Sequence, residues 1–357
     1  MKDNKITVRM AETVKYKPTK LKESKSNDGY VKYGSDNKYP EYIYEVYSDC
    51  ATLQAIINGS ADYTFGEGVL FKEVPETLMD INSEGDSLED IILKCIYDLW
   101  IFGGFSLQVQ YDVFHNITEL IYLDFRYVRT SADGEVCYYN DKWTGLTTLD
   151  YVELPCFNPD KEKYKDETSQ IYYFKGSRTR GVYPEPDYRA ALVSAETQIE
   201  IQKFHYNSII NNFMVNGILN FNNASNVSDE VKEKVEASIN DKFSGSENAA
   251  KLMISWNEDK DKAATFDRLS DDQFDKKYEA LAESTRDNLF ISMRAMPVIF
   301  GLTVQTGFNT QEFKDAFALY NKTAIRPKQQ IMERAFNELL GNIEFKPFNI
   351  DFSDEEE

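Results

Sequence analysis

Two stretches of apolar residues at helical spacing bracket a short insert of different pattern, and no other feature constrains the fold of this chain as much. The first runs from about Asp187 to Phe213, with Leu192, Ala195, Ile199, Tyr206, Ile209 and Phe213 near helical spacing. The second opens at Ser270, with Gln273 placed as capping-box partner, and carries Phe274, Tyr278, Leu281, Thr285 and Leu289. Between them Gly217–Phe221 and Lys251–Trp256 read as strands. Ser228 stands as the N-cap of a helix whose one face is Val231, Val235 and Ile239. A self-contained strand–helix–strand insert makes sense here if the two helices lie antiparallel and the insert extends from their far end.

The rest of the chain is of mixed type. Residues 1–35 hold nine Lys or Arg and four Asp or Glu, a basic arm expected to be extended and poorly packed until something binds it. From Tyr39 the pattern becomes helical: Pro40 suits a first turn, and Leu53, Ile56 and Ile57 mark a second helix that is predicted to end near Gly59. Ser87 with Asp90 resembles a capping box ahead of Leu88, Ile91, Ile92, Cys95 and Leu99, and Gly103-Gly104 stops that helix. The period then falls to two. Phe105, Leu107, Val109 and Tyr111 alternate with polar residues, and Leu120–Tyr127, Glu135–Tyr139 and Gln170–Phe174 are further strand candidates.

After Pro297 comes a loop, Pro297–Asn309, without a formal charge. A third helix follows, capped by Asn309 and Glu312 and striped by Phe313, Phe317, Tyr320 and Ala324. Pro327 is predicted to kink it before it resumes through Ile331, Ala335 and Leu339 to Gly341. Residues 342–357 form an acidic tail. The fold class is α+β.

Charge and cysteine usage exclude several functions. Of 357 residues, 42% are apolar, so wholesale disorder is excluded. Sixty acidic against 40 basic residues give a net charge of −20, which repels a phosphate backbone and argues against sequence-specific DNA binding. No apolar run approaches the ~20 residues of a membrane span, and the start, Met1-Lys2-Asp3, lacks a signal-peptide core; a soluble protein, cytosolic when made, is expected. Cys50, Cys95, Cys137 and Cys156 are 45, 42 and 19 residues apart, and His115 and His205 are isolated. Buried, reduced, inert thiols are therefore expected, and no metal site.

Three local motifs invite a chemical reading. Asp80-Ile-Asn82-Ser-Glu84-Gly85 imitates the start of a calcium loop, yet its twelfth position is Ile91, where a bidentate Glu must close the shell. Lys175–Gly181 is basic and glycine-containing but lacks the phosphate-loop spacing. Neither histidine sits where it would activate a nucleophile. No catalytic, cofactor-binding or metal-ligating residues are assigned.

Several segments, in collinear order over about residues 30–341, resemble the portal proteins of tailed bacteriophages, in particular the compact HK97-type portals. They are Tyr33-Gly34-Ser35-Asp36-Asn37-Lys38-Tyr39-Pro40, then Ile56-Ile57-Asn58 through Tyr63, Gly66 and Gly68, and Thr179-Arg180 with Tyr183-Pro184. Phe243, Gly245, Glu247-Asn248-Ala249 and Lys251 continue the match, as do Pro297–Gly301 and Gly307 with Asn309.

The resemblance implies a head–tail connector, a ring of about twelve copies at one capsid vertex through which double-stranded DNA is packaged and ejected. Its partners would be further copies of itself, the major capsid protein or scaffold, the large terminase and then a head–tail adaptor, with no membrane. It would reside in the virion, and in the host cytoplasm during assembly. On that plan 1–35 is the basic arm, 36–186 an α+β wing, 187–214 and 268–296 two stem helices, and 215–267 a small α/β clip. Residues 297–309 form the tunnel loop, 310–341 a kinked wing or crown helix, and 342–357 the tail, so the crown is minimal. Thr303, Gln305, Thr306, Gly307 and Asn309 would face the DNA channel, and Phe221, Val231, Val235, Ile239 and Trp256 would form the clip interface. Portals carry no catalytic residues or cofactor.

The charge fits a conduit, since many cations along a tunnel would bind DNA tightly and arrest its sliding. Ser228–Phe290 carries 16 acidic and 10 basic residues. Two other readings compete: a nucleic-acid-processing enzyme, which would need a clustered carboxylate site for Mg²⁺, and a monomeric intracellular adaptor.

Overall fold

The computed structural model describes residues 21–26, 29–143, 151–160, 162–163, 167–176, 180–210, 217–221, 227–235, 252–256, 274–302 and 310–348. The chain forms two compact units, residues 190–293 and the remainder.

The larger unit begins with an antiparallel pair, β1 (Ser24–Lys25) and β2 (Val31–Lys32), followed by α1 (Tyr39–Asp49) and α2 (Ala51–Phe65). Pro40 occupies the first turn of α1, where its missing N–H has no intrahelical partner to lose. The expected stop of α2 at Gly59 does not occur. Gly59 lies inside the helix because Phe300 packs against it: a Cβ there would come within 2.9 Å of Phe300 Cε1. The helix ends instead at Gly66, whose φ of +64° suits glycine and whose N–H donates to the Asp62 carbonyl.

After β3 (Val69–Lys72), α3 (Leu88–Ile101) opens on the expected capping box: Asp90 N donates to Ser87 Oγ at 3.2 Å and Ser87 N to Asp90 Oδ2 at 3.0 Å. The Ser87 hydroxyl, and then the Ser87 N–H, donate to Asp90 Oδ2 and hold the Asp90 carboxyl below the ordinary value. All five residues of its predicted apolar face are buried.

One antiparallel sheet has the order β5-β4-β9, from β4 (Gly104–Tyr111), β5 (Ile117–Leu123) and β9 (Ser169–Lys175). Phe105, Leu107 and Val109 fill its buried face. The strand expected at 120–127 starts and stops earlier. Asp124 turns the chain into a 3₁₀ turn, Phe125–Tyr127, its carboxylate accepting from Arg126 N at 3.0 Å.

A second antiparallel sheet comprises β6 (Val128–Thr130), β7 (Val136–Tyr139) and β8 (Val152–Pro155). Its register overturns the expectation of four reduced cysteines. Cys137 lies opposite Leu154, so Cys156, two residues on, sits diagonally across the same face. The Cα atoms are 5.4 Å apart and the pair forms a disulfide. Cys50 and Cys95 are buried thiols, as expected.

In the smaller unit α4 (Leu192–Ile210) packs on α5 (Phe274–Met293). Asn288 Nδ2 donates to Ser194 Oγ at 3.3 Å, and the Phe204 ring stacks on Tyr278 at 5.1 Å. Advancing along α4 thus means retreating along α5, and the helices are antiparallel. Strands β10 (Gly217–Phe221) and β11 (Leu252–Trp256) pair in parallel, which requires a crossover. Residues 229–235 are helical, with Val231 N and Lys232 N donating to the Ser228 carbonyl. The predicted opening at Ser270 and Gln273 lies outside the described residues.

The larger unit is completed by α6 (Thr310–Tyr320), α7 (Arg326–Leu339) and β12 (Asn342–Phe345), which pairs antiparallel with β3. The break expected at Pro327 takes the form of a π turn, Asn321–Ile325, just ahead of it. Widening the ladder there accommodates a residue that cannot donate.

Candidate functional site: the loop root, the insert and a buried arginine

The uncharged segment 297–309 is anchored at its first half. Pro297–Phe300 forms a 3₁₀ turn, Ile299 is buried, and Leu302 N returns to the Pro297 carbonyl at 3.1 Å. Tyr63 OH donates to the Ile299 carbonyl at 2.9 Å. The Phe300 ring meets Tyr63 and Tyr320 edge-on, with centroids 6.2 and 5.8 Å apart. Tyr320 OH in turn lies 2.6 Å from Ser60 Oγ. Burial raises the pKa of both Tyr63 and Tyr320, so both hydroxyls stay neutral. Residues 297–302 are therefore fixed to α2 and α6. Thr303, Gln305, Thr306, Gly307 and Asn309 lie outside the described residues.

In the insert, the parallel register brings Phe221 and Trp256 together at the ends of β10 and β11, where their rings stack at 4.5 Å. Val231 is exposed and Val235 half-buried on the 229–235 helix. Ile239 lies outside the described residues.

Sequence reasoning missed the most elaborate polar cluster, which surrounds Arg129 in β6. Its side chain is fully buried. Arg129 Nε donates to Asn37 Oδ1 at 2.7 Å and Nη2 to the Asn37 carbonyl at 2.8 Å. Nη1 donates to the carbonyls of Arg126 and Val128 at 2.7 and 2.9 Å. The guanidinium also lies over the rings of Trp143 and Tyr33, 5.0 and 5.6 Å from their centroids. Asn37, with φ of +64°, is bent so that Oδ1 also accepts from Tyr33 N. Glu41 Oε1 is 3.9 Å from Arg129; burial raises the Glu41 pKa, and Arg129 opposes the rise. A lone Arg between Val128 and Thr130 reads as an outward strand position, so nothing local marks it.

Among the described residues no group of three or more His, Cys, Asp and Glu side chains gathers as a metal site would. The calcium-loop lookalike closes on itself: Asn82 Oδ1 accepts from Glu84 N and Asp86 N at 3.0 and 2.8 Å. The Asp86 carboxylate takes Lys94 Nζ at 2.6 Å, so the turn needs no ion. His205 is exposed, edge-on to Tyr278. Of the basic run, residues 177–179 lie outside the described set.

No protein-family model and no curated protein matches the chain. Solved structures do match. The neck of an empty gene transfer agent particle, computed with C6 symmetry, aligns with a TM-score of 0.54 at 12% identity, over 88% of this chain and 85% of that one. The crystal structure of an HK97 family phage portal protein from Corynebacterium diphtheriae aligns with a TM-score of 0.53 at 9% identity, over 85% and 94%. The fold is that of a phage portal protein. A third match is the virion of a native gene transfer agent particle, with a TM-score of 0.51 at 13% identity over 85% and 83%. Within this portal fold, the two motif segments Tyr33–Pro40 and Tyr183-Pro184, far apart in sequence, close around Arg129: the Tyr33 and Tyr183 rings stack at 4.0 Å. Among the described residues no helix is long and apolar enough to cross a membrane.

Proposed function

We propose that the protein is a portal subunit, a head–tail connector that assembles into a ring of about twelve copies at one capsid vertex and passes double-stranded DNA without reading its sequence. The observation that carries this reading is the likeness, over 85–88% of the chain, to a phage portal and to the neck of a gene transfer agent particle. The neck structures were computed with C6 and C12 symmetry, which supports a closed homo-oligomer here. On this reading residues 36–186 form the wing, 187–214 and 268–296 the stem, 215–267 the clip and 310–341 a kinked wing or crown helix.

The clip, through Phe221, Val231, Val235, Ile239 and Trp256, docks the large terminase and later the adaptor, and capsid protein or scaffold surrounds the wing. The role is structural, with ATP hydrolysis supplied by the terminase. Thr303, Gln305, Thr306, Gly307 and Asn309 face the channel; weak uncharged donors can touch phosphates without holding them. The anchored root at 297–302 supports this, because a moving duplex needs a wall fixed at its base.

Replacing Gln305 and Thr306 with Lys tests the channel role. Two added cations per subunit around the bore leave ring formation intact and slow packaging, with counterion release favouring a stalled duplex. Normal packaging through verified rings would place the loop away from the DNA.

A further inference from the structure

A groove of about 180 Å³ opens between α3, β5 and the segment leading from β3 to α3. Its lining is mixed: Leu78, Leu88, Ile91 and Leu120 are buried at its base, Thr77, Asn82 and Thr118 stand among them, and Ile81 is 71% exposed beside it. Around it, residues 76–90 hold six carboxylates and no Lys or Arg. Three are engaged: Asp86 with Lys94, Glu89 by Val69 N, and Asp90 in the helix cap. The carboxylates of Glu76, Asp80 and Glu84 make no hydrogen bond or ion pair among the described residues. An occupant must therefore bring apolar side chains together with positive charge, and this rim repels nucleic acid and anionic lipid.

We propose that this groove is the docking site of the chain's own basic N-terminal segment, residues 1–20. That segment carries Lys2, Lys5, Arg9, Lys15, Lys17 and Lys20 against Asp3 and Glu12. Within it Ile6, Val8 and Met10 alternate with Lys5, Thr7 and Arg9, so an extended chain offers an apolar row on one face with cations beside it. Twenty extended residues span up to about 70 Å, more than enough to cross the surface of a unit this size. The inference rests on the groove and on charge complementarity and is independent of ring assembly.

The test uses the full chain with a photocrosslinker in place of an exposed side chain, Ile81→p-benzoylphenylalanine. Irradiation at about 50 mM salt yields adducts that map by peptide mass to residues 1–20. The yield falls at least about fivefold at about 500 mM salt, where the Debye length drops to a few ångströms. Adding Asp80→Lys and Glu84→Lys, both exposed positions, lowers it by a similar factor at unchanged melting temperature. The same crosslinker at exposed Val152 yields no such adduct. Adducts at Ile81 that map elsewhere, equal yields from positions 81 and 152, or a yield indifferent to salt and to the charge reversals would overturn the proposal.

Discussion

Tyr33 and Tyr183 stack face to face, centroids 4.0 Å apart and planes within 7°, and each hydroxyl reaches the other's chain segment. Tyr33 OH donates to the Pro184 carbonyl at 2.6 Å, and Tyr183 OH donates to the Val31 carbonyl while accepting from Thr130 N at 3.1 Å. The pair joins the start of the larger unit to the segment that leaves it. Tyr183→Phe keeps the stack and orphans a buried carbonyl and a buried N–H. It is expected to destabilise the protein by about 1–3 kcal/mol, read by urea unfolding; no change would mean the hydroxyl contributes nothing.

Tyr173 offers the opposite case. Its hydroxyl is buried beside this cluster and has no partner among the described residues. Burial, first, and the neighbouring Tyr33 and Tyr183 hydroxyls raise its pKa, so it stays neutral. Tyr173→Phe removes an unsatisfied polar atom and is expected to be neutral or to stabilise by up to about 2 kcal/mol. A clear loss of stability in the same unfolding experiment would reveal a hydrogen bond that this account lacks.

Asp98 carries a pH dependence. Burial, and then the nearby Asp124 carboxylate, push its pKa well up, while Tyr122 OH donates to Asp98 Oδ2 at 2.9 Å and opposes the rise. The native state thus holds the proton more tightly than the unfolded chain. Its contribution is fully present below the unfolded carboxyl value of about 4 and is lost as pH rises toward the native value. Asp98→Asn cannot ionise and can still accept from Tyr122, so it should be more stable than wild type at pH 8, with the gain vanishing near pH 4. Thermal melts across that range decide it; a constant offset would contradict the assignment.

The Cys137–Cys156 disulfide closes a short loop across the β6-β7-β8 sheet. Chain-entropy arguments give such a loop about 3 kcal/mol. Reduction should lower the melting temperature of wild type and leave Cys137→Ser with Cys156→Ala unaffected. Alkylation of the unfolded, unreduced protein should label two thiols; four would mean the bridge does not form.

Much of the fold was readable wherever one local signal sufficed. The Ser87–Asp90 capping box, the period-two strand at Phe105–Tyr111 and the two separate strands Gly217–Phe221 and Leu252–Trp256 depend on neighbours within a few residues. What escaped depends on distant partners. Gly59 reads as a helix stop until Phe300 is placed against it. Cys137 and Cys156 become neighbours only once the β7–β8 register is known. Arg129 is one charge in a strand until Asn37, with its positive φ, closes over it. For the residues proposed to face a channel, Thr303, Gln305, Thr306, Gly307 and Asn309, the sequence offered composition alone, the absence of charge, and the anchoring of the loop root by Tyr63 and Phe300 depended on α2 running past Gly59.

The central claim is a ring, and negative-stain imaging of the purified full chain, with its native mass measured alongside, tests it most directly. The account predicts closed rings with a central hole and a mass near twelve times the 41.3 kDa subunit. A single species at the mass of one subunit, with no rings in any field, would contradict it.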